Sequence, residues 1–194
     1  MRIHPSIFSG NLLQLEKEIE FVDRQYGNIH IDIEDGNYID NITFGKKILK
    51  NICEKSNSYK TVHLMVNHPE SFVDVLAECN IDLVFIHIDH LRYPSEIINK
   101  FLMKGIKVGV ALNPNAEISE EFYIAEVEEL LLMMCEPDTF GQLFIPNLTK
   151  KITRYISAGY SVWCDGGIHF DKLEDLESLG VKNVVMGRAV FEKR

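Results

Sequence analysis

The chain has 194 residues, 46% hydrophobic and 25% charged, which is the make-up of a globular protein long enough to bury a core. Its formal net charge of −9 argues against nucleic acid and an anionic membrane surface as general partners, while leaving room for a small anion in a local pocket. The opening "MRIHPSIF" lacks the pattern of a secretory signal, no apolar run reaches the roughly 20 residues of a membrane helix, and Cys53, Cys79, Cys135 and Cys164 form no CxxC pair, so a cytoplasmic chain with reduced thiols and no membrane partner is expected.

Short apolar runs alternate with amphipathic stretches along the chain. "RIHPS" (2–6) reads as the first strand. "NLLQLEKEIEFVDRQ" follows, with Leu12, Leu15, Ile19 and Val22 three or four residues apart, which is one helical stripe. The next strands are "NIHIDI" (28–33), "TVHLMV" (61–66) and "LVFIHI" (83–88). After the helix-like "SEIINKFLMKG" come "IKVGVAL" (106–112), "ELLLMM" (129–134) and "YSVWCD" (160–165). The helix-like "FDKLEDLESLG" precedes the last strand, "NVVMG" (183–187). Both of these later helical stretches end in glycine, a common helix stop.

Strands alternating with helices imply parallel pairing through right-handed crossovers. Eight of them predict an α/β fold, a compact (β/α)8 TIM barrel forming a single domain over 1–194. Only "RAVFEKR" follows the eighth strand, so the last helix is expected to be truncated. A doubly wound open sheet is the alternative that periodicity alone leaves open.

A barrel should collect its active groups at the C-terminal ends of its strands, on inward-pointing side chains. Ser6 ends the first strand, His30 and Asp32 the second, and His63 lies within the third. His87 and Asp89 end the fourth, Asn113 follows the fifth and Asp165 ends the seventh. In "NIHIDIE" the residues Ile31 and Ile33 face one side while His30, Asp32 and Glu34 share the other, an expensive face to bury without partners. Taken singly, a strand histidine is more often hydrogen-bonded core, and an aspartate before Gly-Gly more often forms a turn. Two imidazoles and two carboxylates at matching strand ends instead suit a divalent ion.

In order, "HPSIFSGN", "HIDIEDGNYIDNITFG", "VHLMVNHPE", "GVALNPNA", "EPDTFGQLFIP", "CDGGI" and "GRAVF" resemble the motifs of the ribulose-phosphate 3-epimerase family. The resemblance spans almost the whole chain. It is nearest to the family's sugar-epimerase-like branch and extends to allulose-6-phosphate 3-epimerase. It implies one divalent metal ion (zinc, manganese, iron or cobalt) held by His30, Asp32, His63 and Asp165. It also implies that Asp32 and Asp165 are the catalytic acid/base pair. They would invert C3 of a small-molecule ketose phosphate through an enediolate, one removing a proton and the other returning one from the opposite face. Ser6 and His63 would contact the substrate, with Met65 and Met133 lining the same region. In such barrels a phosphate sits on the last loops, here Gly141, Gly166, Gly167, Gly187 and Arg188. Family members commonly form oligomers, so a homo-oligomer is expected.

Three departures bear on substrate choice. Asp138 places a negative charge in the family's glycine-rich run, Arg188 stands where a small residue is usual, and Glu34 replaces a methionine in "HIDIxDG". They keep open a catalytically altered sugar- and metal-binding barrel, or an epimerase for a different, unphosphorylated sugar. A Schiff-base aldolase would need a lysine near a strand end, and none stands out within these strands.

Overall fold

The computed structural model describes residues 1–118, 126–136 and 143–192. Its eight strands are β1 (Arg2–Pro5), β2 (Asn28–Glu34), β3 (Tyr59–Met65), β4 (Leu83–His87), β5 (Val108–Leu112), β6 (Glu129–Met133), β7 (Ser161–Asp165) and β8 (Asn183–Met186). They form one parallel sheet in the order β1-β8-β7-β6-β5-β4-β3-β2. Just past β1, Ser6 pairs in parallel with His30 of β2, so the two ends of the sheet meet and the barrel closes. This closure decides against the open doubly wound sheet.

The helices are α1 (Leu15–Gln25), α2 (Lys46–Lys55), α3 (Val73–Glu78), α4 (Pro94–Leu102), α5 (Thr149–Ser157), α6 (Leu173–Ser178) and α7 (Arg188–Phe191). Ile19 and Val22 bury the stripe of α1, but Leu12 is 43% exposed. The reason is local: the Asn11 side chain accepts a hydrogen bond from the Leu13 N–H and starts a tighter 3-10 turn over Leu12–Gln14, which shifts Leu12 off the helical face. The glycine stops hold, with Gly105 at φ 76° after α4 and Gly180 at φ 94° after α6. The last helix, α7, is a single turn of four residues. Among the described residues no helix is long and apolar enough to cross a membrane.

Strand alternation sorts the side chains into two cores. Outward residues such as Ile31, Ile33, Val62, Leu64, Val84 and Ile86 pack with Ile19, Val22, Leu49, Ile52, Leu76 and Phe101 of the helices. Inward residues Leu83, Phe85, Ala111, Leu131, Trp163 and Val185 fill the barrel itself. Burying each large apolar side chain contributes about 1.5–3 kcal/mol, so these layers are the main source of stability. Phe85 meets Trp163 edge-on at 5.1 Å, and the Phe85 ring occupies the space that a Cβ on Gly109 would need. Below this layer the Trp163 Nε1–H and the Lys107 ammonium both donate to Glu129, each at 2.7 Å. The interior is thus apolar at mid-height and polar at its floor and its mouth.

Candidate functional site

His30 and Asp32 lie two apart on β2 and project inward together. In register, Asp32 sits beside His63 of β3, and Asp165 closes β7 beside Met133. One ligand atom from each of His30, Asp32, His63 and Asp165 lies within 4.8 Å of all the others. Asp32 Oδ1 is 3.3 Å from His30 Nε2 and 3.5 Å from His63 Nδ1, while Asp165 Oδ2 is 3.5 Å from the same His63 nitrogen. The Ser6 hydroxyl donates to Asp32 Oδ2 at 2.5 Å.

The far side of His30 suits the tautomer with hydrogen on Nδ1. The Thr61 hydroxyl donates to the Ile29 carbonyl at 3.3 Å and so accepts from His30 Nδ1, 2.7 Å away. His30 Nε2 therefore carries a lone pair into the site. That nitrogen and His63 Nδ1 are both buried, and neither has a hydrogen-bond partner among the described residues. Two orphaned imidazole nitrogens beside two carboxylate oxygens form a donor set for one divalent cation, which would offset the paired negative charges. These residues fit the metal that the sequence implies.

Electrostatics points the same way. Burial would raise the Asp32 carboxyl, but His30 and His63 hold it far below the usual carboxylate range. Burial would lower His63, but Asp165 and Asp32 push it up to about 9. The space between the carboxylates thus favours positive charge, whether proton or metal. On the other side, His63 Nε2 is 2.8 Å from His87 Nε2. Burial, together with His63 and His90, holds His87 well below its ordinary range, so this ring is neutral near pH 7.

Met65 and Met133 are buried at the mouth, Met65 in register with Glu34. Glu34 stands outside the four-residue cluster, and its Oε2 accepts from the Asn41 amide at 2.6 Å. Asp35 faces away and forms a turn, accepting from the Asn37 and Tyr38 N–H groups and from that of Asn67, each at 2.9 Å. Gly166 and Gly167 follow Asp165 with φ of 101° and 64°, and a Cβ on Gly166 would run into the Cys135 sulfur. Gly187 follows β8, where a Cβ would strike the Ser9 hydroxyl, and Arg188 is exposed. Gly141 and Asp138 lie outside the described residues, and with them any pairing of Asp138 with Arg188.

Two participants escaped the sequence reading, Thr61 behind His30 and Tyr38 at the mouth. The signal for Thr61 was its position two residues before His63, on the same inward face. Tyr38 gave none. Its hydroxyl donates to Asp89 Oδ1 at 3.1 Å and accepts from the Asn113 amide at 2.7 Å, which joins three loops.

The profile of the Ribulose-phosphate 3 epimerase family matches residues 2–191. The chain is 32% identical to the ribulose-phosphate 3-epimerase of Helicobacter pylori strain J99, over 100% of this chain and 92% of that protein. It is also 32% identical to that of Methanocaldococcus jannaschii, over 100% and 85% of the two chains. For the cytoplasmic isoform from Oryza sativa subsp. japonica the identity is 30%, over 98% and 87%. Among solved structures, a mutant tryptophan synthase alpha-subunit from Pyrococcus furiosus superposes with a TM-score of 0.70 at 15% identity, covering 97% of this chain and 88% of that one. Phosphoribosyl anthranilate isomerase from Thermus thermophilus gives 0.64 at 16% identity, covering 98% and 88%. At these identities the two structures speak to the barrel alone.

Proposed function

Because the chain belongs to the ribulose-phosphate 3-epimerase family, we propose that it is a metal-dependent epimerase that inverts C3 of a small ketose phosphate. The whole chain then acts as one barrel domain. The observation that carries this reading is the pair of buried nitrogens, His30 Nε2 and His63 Nδ1, without a hydrogen-bond partner among the described residues and facing Asp32 and Asp165 at the barrel mouth.

His30, His63, Asp32 and Asp165 would hold the divalent cation. Once bound, it supplies the positive charge that offsets the negative charge developing beside C3 as the proton leaves. Asp32 and Asp165 approach from β2 and β7, so a sugar lying between them has one carboxylate on each face of C3. One takes the C3 proton as base while the other, protonated, delivers a proton to the opposite face, and the roles exchange with reaction direction. Ser6 donates to Asp32 Oδ2 and thereby fixes the carboxylate plane, leaving Oδ1 turned toward the two histidines. Met65 and Met133 provide apolar walls that limit water around the reacting carbon. The phosphate is assigned to the backbone of Gly141, Gly166, Gly167 and Gly187, with the planar Arg188 guanidinium as a fork onto its oxygens.

The test is solvent hydrogen exchange on metal-analysed protein. Ribulose 5-phosphate, allulose 6-phosphate and their unphosphorylated sugars are each incubated in D₂O and followed at C3 by NMR. Deuterium incorporation with inversion in a phosphorylated sugar, lost in both Asp32→Asn and Asp165→Asn, is the expected result. Exchange confined to the unphosphorylated sugars would overturn the phosphate assignment. Absence of exchange in every sugar, with one metal bound, would overturn the epimerase reading.

A further inference from the structure

His63 differs from His30 in what stands behind it. His30 leans on a hydroxyl whose own proton is committed to a backbone carbonyl, whereas His63 leans on a second imidazole. The His63 and His87 rings lie 25° from parallel with centroids 4.9 Å apart, and their Nε2 atoms are 2.8 Å apart. Both rings are sealed from solvent, at 0% and 1% exposure. A single proton can occupy the gap between the two nitrogens. If it belongs to His63, then Nδ1, the nitrogen that faces Asp32 and Asp165, is left to bind a cation in place of a proton. If it belongs to His87, the lone pair of His63 is spent on the wrong side of the ring and Nδ1 carries a hydrogen.

The surroundings of His87 favour the first arrangement. With Nε2 accepting, His87 carries its hydrogen on Nδ1. That buried atom has no hydrogen-bond partner among the described residues, and Asp89 Oδ1 lies 4.0 Å from it. Asp89 is held there by Tyr38, whose hydroxyl donates at 3.1 Å, and by the Asn113 amide, which donates to Oδ2 at 3.1 Å. The Tyr38 ring packs on His87 at 5.0 Å and on His90 at 4.5 Å, and His90 Nδ1 is 3.7 Å from Asp89. Among the described residues, the titratable groups around His87 are thus Asp89 on its Nδ1 side, the His63 and His90 imidazoles and the Tyr38 phenol.

We propose that His87 is a positioning residue for the metal centre: it accepts the Nε2 hydrogen of His63 and so holds the Nδ1 lone pair of His63 toward the gap between Asp32 and Asp165. This rests on the metal reading above. His87 does not touch substrate, and its effect runs through the affinity and geometry of the cation.

Two variants and one spectrum test it on the full chain. His87→Leu keeps bulk but removes the acceptor, while His87→Gln can place an amide oxygen where Nε2 was. Zinc and cobalt affinities are measured by competition with a chelating dye, independently of turnover. The expected result is a loss of about 10- to 100-fold in His87→Leu, largely restored in His87→Gln, with melting of the metal-free proteins changed far less than affinity. In long-range proton–nitrogen spectra of zinc-loaded wild-type protein, His63 should carry hydrogen on Nε2 and His87 on Nδ1. Wild-type affinity in His87→Leu, or an equal loss in both variants, overturns the proposal. So does a spectrum with His63 protonated at Nδ1, which holds even where a variant fails to fold. Wild-type protein that binds neither ion overturns the metal reading itself, an outcome distinct from all of these.

Discussion

The hydroxyl of Ser6 sits 2.5 Å from Asp32 Oδ2, while the backbone of the same serine pairs with His30. One residue therefore joins the first strand to the second, completes the barrel, and orients a carboxylate of the site. A hydrogen bond to a charged group contributes about 1.5–3 kcal/mol. Ser6→Ala is accordingly expected to lower kcat/KM by about 10- to 100-fold at saturating cation. The metal content should stay near one per chain, because the four proposed ligands are untouched. Steady-state kinetics with metal analysis checks this, and a wild-type kcat/KM would show that the contact does not matter to the reaction.

Cation binding should appear as stability. The folded chain brings a carboxylate oxygen of Asp32 and one of Asp165 each to 3.5 Å from His63 Nδ1, and the unfolded chain does not. A ligand that binds only the folded state at about 100 times its Kd adds about 2.7 kcal/mol. For a chain of this size that is a rise in Tm of roughly 5–10 °C. Thermal unfolding with excess zinc or manganese against a chelator should show this rise in wild-type protein, and Asp165→Asn should lose most of it. An equal rise in Asp165→Asn would place the cation elsewhere.

The parts legible in the sequence were those set by local period. His30, Asp32 and Glu34 share a face because strand side chains alternate, and the apolar runs marked all eight strands for the same reason. Helix ends were legible at Gly105 and Gly180, where the chain needs positive φ. Leu12 misled, since a helical stripe does not show that Asn11 would tighten the first turn. Relations that depend on how distant strands slide past one another were out of reach. Closure at Ser6–His30 and the meeting of His63 Nε2 with His87 Nε2 are of this kind. His63 is in register with Phe85, not His87, so even the correct strand pairing does not predict that contact.

Gly109 offers a test of the inner core. Its neighbour Phe85 fills the barrel axis, and a methyl group at position 109 would overlap that ring. Overpacking of this kind costs about 1–3 kcal/mol, so Gly109→Ala should unfold at lower urea concentration with an unchanged m-value. Shrinking the ring should relieve the clash. The double variant Gly109→Ala with Phe85→Leu is expected to be more stable than the sum of the two single losses, by at least about 0.5 kcal/mol. Strict additivity would mean that the two positions do not compete for the same space.

His4, which stands outside the four-residue His/Asp cluster, gives the fold an acid limit. It is fully buried beneath Ser6, where it packs on Trp163 at 4.3 Å and its Nε2 bonds to Asn183 at 3.1 Å. Burial pushes this imidazole down from 6.5 to about 3, with the Asn183 bond recovering only part of the loss. A depressed histidine refuses a proton that the unfolded chain accepts. Below about pH 6.5 the unfolded state binds more protons, so stability rises with pH and falls on acidification, until the folded ring also titrates near 3. The slope from one such group is at most about 1.4 kcal/mol per pH unit. Urea midpoints in chelator between about pH 7 and pH 5 should therefore fall more steeply in wild-type protein than in His4→Gln, which keeps a polar group for Asn183 but cannot titrate. Parallel slopes in the two proteins would mean that His4 takes up its proton without unfolding the barrel.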